Sequence, residues 1–486
     1  MADKVYTHRY LARVVLSAET PLFIGSGETS LITDALVQKD IYGFPMIPGT
    51  SLTGVLRHAL EDNNARKSKG TQLNWDSFFG YQSKSGKKGL GSQIKISCAY
   101  LVLKNGKVAE GLNPEEDTDV FLKYFQNLPV RQHVRITEKG VADTPKSGLF
   151  DNELVYRGGR FLFEIELKGT DSDKELWSEF LKALNSPLLR VGQGTRNGYG
   201  RLTVSAVNAR IFNLQNENDF NDYLNYDPSL NANNNLNKIE ISGEKAELIQ
   251  YQLKLKPESF FIFSTGFGDE EVDNIPVTEE VLEYDNEKLN LSKPKGLIPA
   301  SSIKGALRHR TAFHYNKIKN KYADKITDKK YLDFLGANND AVYELFGAEE
   351  GVEDRGEKRS ENYKELSGTR GKVIIDDIFL DGEKRDKIFN HVAIDRFTGG
   401  AMDGALFSEK VSYFDDENRE IKINITVDKR DLDKDSLEIK AFEETLTDVC
   451  KGLLPLGGMT TKGHGIFTGK LFKNNNDKPE YDYETA

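Results

Sequence analysis

A chain of 486 residues, 38% hydrophobic and 29% charged, is long enough for two domains and polar enough to remain in water. Two cysteines leave no room for a disulfide framework or a Cys-rich zinc site, and no apolar run approaches the roughly 20 residues that span a bilayer. The net charge of −10 argues against a general nucleic-acid coat, although binding depends on local stripes of charge and not on the sum. The first residues, MADKVYTHRYLARVVLSAET, carry scattered charges and no signal-peptide core, so a cytoplasmic protein is expected.

In chain order, YLARVVLSAE reads as a strand, and MIPGTSLTGVLRHALEDN as a turn feeding an amphipathic helix. Leu52, Val55, Leu56, Ala59 and Leu60 follow the i, i+3, i+4 spacing of one buried face. Gly49 permits the turn, and Thr50 or Ser51 can cap the helix. Free N–H groups at such a start make a phosphate site, while a capped scaffold helix is the plainer alternative. Arg57 lies near the edge of the buried face.

QIKISCAYLVL is a second strand, and HVRITEKGVADTPKSGLFDNELV a turn-rich hairpin with Leu149 and Phe150 as an apolar tip or anchor. FLFEIEL alternates as a half-buried strand, LWSEFLKAL is a helix, and RLTVSAV closes the series. Between these last two lies RVGQGTRNGYGRL. Its glycines suit close approach of backbone to a ligand, and Arg190, Arg196 and Arg201 suit phosphate; a hairpin turn with solvated arginines is the alternative. The spacing is neither that of a P-loop nor that of a dinucleotide fingerprint.

The same blocks then recur in the same order. LIPASSIKGALRHRTAFHY repeats the turn and helix, KVIIDDIFL the strand, HVAIDRFTGGAMDGALFSEKV the hairpin with Leu406 and Phe407, and LGGMTTKGHGIF the glycine-rich loop with Lys462. With NWDSFFGYQ answered by VYELFGAEE after the helices, ordered matches at five points mark a tandem duplication. The expected organisation is a first domain at 1–210, an Asn/Asp-rich linker or loop at 211–247, and a second domain at 248–473 with a charged insertion near 317–370. A disordered tail is expected at 474–486. The fold class is α+β, with an antiparallel sheet of the ferredoxin-like or RNA-recognition-like kind in each copy.

PLFIGSGE, IPGTSLTGVLR, DRFTGGAMDGALF and the closing glycine-rich loop together resemble the RAMP superfamily of CRISPR-associated proteins. More narrowly, they resemble the backbone subunits of type III effector complexes, here with two such domains fused as in a type III-D-like variant. The resemblance implies an RNA-recognition-like palm and a thumb hairpin that interrupts a guide–target duplex. It also implies cleavage of the bound target RNA with a divalent metal, Mg²⁺ being the expected ion. The implied partners are a CRISPR guide RNA, target RNA, further backbone subunits, a large polymerase-like subunit and a small subunit, with no membrane.

The family's essential aspartate lies in the loop between the first two motifs, where this chain has Asp34, the expected catalytic and metal-holding residue. In the second copy, placing Val277 opposite Val37 puts Asn274 opposite Asp34; Asp273 is preferred as the catalytic residue, and Asp269 is more distant. RNA contacts are expected at Gly49, Thr50, Ser51, Arg57, Arg190, Arg196 and Arg201 in the first copy. In the second they are expected at Ser301, Ser302, Lys304, Arg308 and Lys462. The first copy departs from the family in carrying Phe23 where many members have histidine, and Thr53 where the second copy keeps Lys304. Two alternatives stand beside the nuclease. One is a structural RNA-binding backbone without active carboxylates. The other is a metal-independent guide-processing ribonuclease, which would need a dedicated histidine outside the repeated scaffold blocks that hold His58, His133, His309 and His391.

Overall fold

The computed structural model describes residues 5–66, 75–83, 89–103, 106–110, 118–137, 140–143, 148–243, 246–285, 288–325, 334–336, 338–348, 368–380, 382, 384–416, 418–433 and 435–485. Within them the duplication is a duplication of structure. The first copy runs β1 His8–Ala18, α1 Gly49–Arg66, β2 Ala99–Leu101, β3 Arg160–Gly169, α2 Lys174–Leu184 and β4 Leu202–Asn213. The second runs β5 Leu248–Pro257, α3 Ala300–Ile318, β6 Val373–Ile375, β7 Ile421–Asp428, α4 Leu437–Cys450 and β8 Phe467–Lys473. All pairings are antiparallel, in the order β4-β1-β3-β2 and β6-β7-β5-β8. Both copies are thus the ferredoxin-like β-α-β-β-α-β unit expected from the pattern.

The periodicities that announced the helices are used as cores. Leu52, Leu56 and Leu60 of α1 are buried against the first sheet, and Ile303 and Leu307 of α3 against the second. In the second copy the two helices also meet through polar groups. His314 and Arg310 of α3 reach Asp448 of α4 at 2.7 and 2.6 Å.

The stretch 211–247, expected as an Asn/Asp-rich linker or loop, carries regular structure of its own. Its described residues form a helix, Glu217–Leu224, and a short strand that extends the first sheet beside β4. Tyr223 and Tyr226 bond to Glu166 and Glu164 on β3, while Arg13 of β1 donates to the carbonyl of Asp227 at 3.0 Å. Its asparagines act as local substitutes for backbone partners: Asn216 caps the helix, and Asn231 exchanges bonds with Val108. The segment therefore covers the sheet face that the helices leave open. The tail is likewise ordered at Tyr481–Asp482, which pairs with β8. Much of the charged insertion near 317–370 lies outside the described residues; its described part includes a helix, Asp340–Phe346, packed on α3 and α4.

The halves are joined by a polar seam. Arg131 of the first reaches Glu279 and Asp377 of the second at 2.6 Å each, and Arg190 and Arg201 both reach Asp376, at 2.5 and 2.8 Å. A hairpin of the second half, Leu282–Asp285 with Lys288–Leu291, buries Leu282 and Leu289 in the core of the first. No described helix is long and apolar enough to cross a membrane.

Candidate functional site

Each copy sends out a two-stranded hairpin: Val130–Val134 with Leu149–Glu153, and Arg385–Ile394 with Ala401–Tyr413. Leu149, Phe150 and Leu406 are exposed and Phe407 half-buried, so these residues do not plug the core. Nor do they form the tips, because they sit within the strands. Phe150 stacks on His133 at 5.1 Å and Phe407 on His391 at 6.2 Å. The tip of the second hairpin is the turn Asp395–Gly400, and Phe397, which pattern reading passed over, stands 97% exposed there.

The aspartate loops lie against the roots of these hairpins. Asp34 donates its N–H to Asp151 Oδ1 at 2.7 Å, and Asp151 returns its N–H to Asp34 Oδ2 at 3.0 Å. In the second copy Asp273 donates its N–H to Ser408 Oγ at 3.1 Å, and Ser408 returns its N–H to Asp273 Oδ2 at 2.8 Å. Asp151 and Ser408 each follow the Leu-Phe pair of their hairpin. The next rungs agree: Glu153 N–H donates to Ala35 O, and Lys410 N–H to Asn274 O. So does the turn before the loop, where Gln193 N–H donates to Phe23 O and Gly458 N–H to Ile262 O.

The structural register therefore places Asp273, not Asn274, opposite Asp34, one residue away from the pairing of Val277 with Val37. Asn274 instead accepts a hydrogen bond from Ser264. Asp269 is held by the N–H groups of Glu271 and Val272 and by Lys410 Nζ, which lower its pKa. Asp273 also has a lowered pKa, because the Ser408 backbone N–H and then its hydroxyl bond to the carboxylate.

The two loops differ in acidity. The first brings two carboxylates together, Asp34 and Asp151, each with one oxygen in the reciprocal bracket. The second has one, already accepting two bonds from Ser408. Among the described residues no group of three or more His, Cys, Asp or Glu is placed to hold a metal. Magnesium commonly takes one or two protein carboxylates and completes its shell with water and phosphate oxygens, so the first pair fits such an ion better than the second.

The glycine-rich loops approach the chain's own backbone closely. A Cβ at Gly192 would lie 2.3 Å from Phe23 O, and at Gly457 2.4 Å from Ile262 O. These glycines bring the loop against the chain's own backbone. Gly49 is similar, with Ile96 O only 2.4 Å from a Cβ. Arg190 and Arg201, expected to meet RNA, are both paired with Asp376 at the seam. Arg57 is bound by Glu61 at 2.7 Å and by the carbonyl of Gly80.

Arg196 and Lys304 do converge, from opposite halves. Lys304 Nζ donates to Arg196 O at 2.9 Å, and Nε and Nη1 of Arg196 are buried without a partner. Burial, then Arg370 and Arg190, pushes Arg196 down to about 9; burial, then Arg196 and Arg308, pushes Lys304 down to about 7. Among the described residues the cations of this cluster outnumber the carboxylates that act on it, Asp428 being the one that acts on Arg196. Arg308 and Ser301 lie half-buried on the same helix, with Ser302 exposed at its first turn. Thr50 is exposed and Ser51 half-buried at the matching turn of α1. Lys462 lies over the ring of Phe407 at 5.0 Å, at the second hairpin.

The residues that sequence reading missed are Asp151, Ser408, Arg131, Glu279, Asp376 and Asp377. Only the first two carried a signal, each standing directly after a Leu-Phe pair.

Comparison with known proteins agrees with this geometry. The model of the RAMP superfamily matches residues 15–203 and again residues 250–468. The CRISPR system Cms endoribonuclease Csm3 of Methanocaldococcus jannaschii is 30% identical over 207 residues, covering 39% of this chain and 75% of that protein. The chain belongs to the RAMP superfamily, and it carries the family's domain twice in tandem.

Proposed function

We propose that this protein is an RNA-binding backbone subunit of a type III CRISPR effector complex, of the tandem type III-D-like kind, occupying two successive positions along a guide RNA. It cuts target RNA at the loop aspartates. The supporting observation is the repeated bracket: in both copies an aspartate loop is latched to a hairpin that carries exposed apolar residues. Such a hairpin can wedge between bases, since stacking on exposed side chains is the usual means of holding single strands. The similarity to a Csm3 endoribonuclease points the same way.

At the first position Asp34 and Asp151 are the residues that would hold a magnesium ion, which would supply charge neutralisation at the scissile phosphate. The bracket fixes the Asp34 carboxylate against the hairpin root. The alternative role of that carboxylate is to accept the proton of a target 2′-hydroxyl as that oxygen attacks the adjacent phosphorus and the 5′-oxygen leaves with a proton from water. Phosphates of the guide lie on the pocket of Arg196 and Lys304, with Ser301, Ser302 and Arg308 on one side. Thr50 and Ser51 serve at the first helix, and Lys462 at the second hairpin.

A second reading, a backbone without nuclease activity, is favoured by one observation at the second position, where Ser408 stands in place of an acid and gives two hydrogen bonds to Asp273 Oδ2. The test uses the assembled complex with guide and end-labelled target, with Mg²⁺ or EDTA. Asp34→Ala is expected to remove one product and Asp273→Ala to remove or weaken another. If the double variant still yields every metal-dependent product, the chain is a scaffold.

A further inference from the structure

The seam does more than join two domains. Arg131 is buried, and its guanidinium meets Glu279 and Asp377, both buried, while packing over the ring of Tyr199 at 5.0 Å. It belongs to the hairpin strand Val130–Val134. There it lies opposite Asn152, and the next residue, Gln132, lies opposite Asp151, the partner of Asp34. On the other side, Asp377 Oδ1 accepts the N–H of Ala300, the first residue of α3. One carboxylate of the second half therefore ties the root of the first hairpin to the start of the second helix.

The second copy does not repeat this arrangement. Where His133 faces Phe150, His391 faces Phe407, and in that register Arg131 corresponds to Phe389. In the first half, Ser97 and Cys98 lie between the short strands Ile94–Ile96 and Ala99–Leu101, where the second has Asp376 and Asp377 between Val373–Ile375 and Ile378–Phe379. Among the described residues the ion lock occurs once, at the first hairpin.

We infer that Arg131, locked by Glu279 and Asp377, is a positioning residue that holds the first hairpin, and with it the Asp34–Asp151 bracket, in register. A charged fork paired to two carboxylates fixes direction as well as distance, and low exposure removes competing water. The positional part stands on geometry alone; its consequence for cleavage rests on the reading of Asp34 proposed above.

The test uses the full chain and a neutral triple variant, Arg131→Met with Glu279→Gln and Asp377→Asn. Removing all three charges together avoids leaving a buried charge unpaired. Amide exchange read by mass spectrometry is expected to quicken at 149–153 by about tenfold or more, with 406–410 unchanged. In the assembled complex the turnover of the Asp34-dependent product is expected to fall roughly 10- to 100-fold, with the KM for target unchanged and the other product unaffected. Arg131→Lys, which keeps one pair, is expected to restore part of the loss. Should the triple variant not fold, Asp377→Asn alone is read by the same exchange measurement. Unchanged exchange at 149–153, or equal quickening at both hairpins, overturns the lock. If instead Asp34→Ala leaves every product intact, the catalytic reading fails while the exchange result still decides the positional one.

Discussion

Gly158 of the first half meets the carbonyl of Leu282 in the second so closely that a Cβ at Gly158 would lie 2.0 Å from that oxygen. Its φ of +91° is also in the left-handed region that side chains rarely adopt. Leu282 in turn donates its N–H to Arg157 O at 2.8 Å. The seam thus needs glycine at 158 for two independent reasons. Gly158→Ala is expected to destabilise the chain by about 2–4 kcal/mol, the backbone strain adding to the displaced hairpin. Chemical denaturation of the purified chain checks this, and a loss below about 0.5 kcal/mol would show that the hairpin shifts freely.

On the function proposed above, Lys304 would link RNA binding to pH. Its pKa, lowered to about 7 by burial and then by Arg196 and Arg308, lies below the value of a free lysine. The folded chain carries this charge at a cost below about pH 7, and the cost is relieved as pH rises toward the usual lysine range. A phosphate in the pocket favours the charged form, so binding takes up a proton. Affinity for a short single-stranded RNA is expected to fall above pH 7, by up to about tenfold per pH unit. Fluorescence anisotropy at constant ionic strength measures it. Lys304→Gln is expected to bind more weakly and to lose the slope; if the slope survives in that variant, another group carries the proton.

His133 gives an acid limit of opposite origin. Burial and the neighbouring Arg131 push it down to about 4, and it bonds to the Tyr199 hydroxyl at 2.8 Å. A free histidine titrates near 6.5, so between about pH 6.5 and 4 the unfolded chain takes up the proton first and stability falls as pH falls. Unfolding followed across that window should show a decline that is shallower in His133→Gln. An identical decline in both would assign the acid sensitivity elsewhere.

The repeat was legible because its signals are local. The 3.6-residue spacing in α1 and α3 and the alternation in β3 survive divergence, since each buries a face in its own copy. The loop register was not, because it is set by hydrogen bonds to a hairpin more than a hundred residues away, Asp273 to Ser408, and a one-residue shift leaves the local pattern equally good. The seam was hidden for the same reason: Arg131 and Asp377 look like ordinary surface charges until the fold buries them together. The Asn/Asp-rich stretch was less legible for a different reason. Composition there resembles a solvated linker, yet the asparagines satisfy backbone groups and the tyrosines reach acids on β3.

The difference between the two brackets can be tested in both directions. Asp151→Asn keeps an oxygen to accept the N–H of Asp34 and a backbone N–H to return, so the loop should remain latched while the second carboxylate is lost. The expected result is a Mg²⁺ requirement for the Asp34-dependent product raised roughly tenfold, with guide and target binding unchanged. A Mg²⁺ titration that superimposes on wild type would remove Asp151 from the metal's surroundings. The reverse change, Ser408→Asp, gives the second loop the carboxylate that the first already has. It relieves Asp273 of the hydroxyl hydrogen bond and sets a second acid beside it. If acidity at this one position separates the two sites, the Asp273-dependent product should appear at lower Mg²⁺ in Ser408→Asp. If it does not, any difference in cleavage between the two positions is to be sought in the hairpins, the second having Phe389 where the first has the locked Arg131.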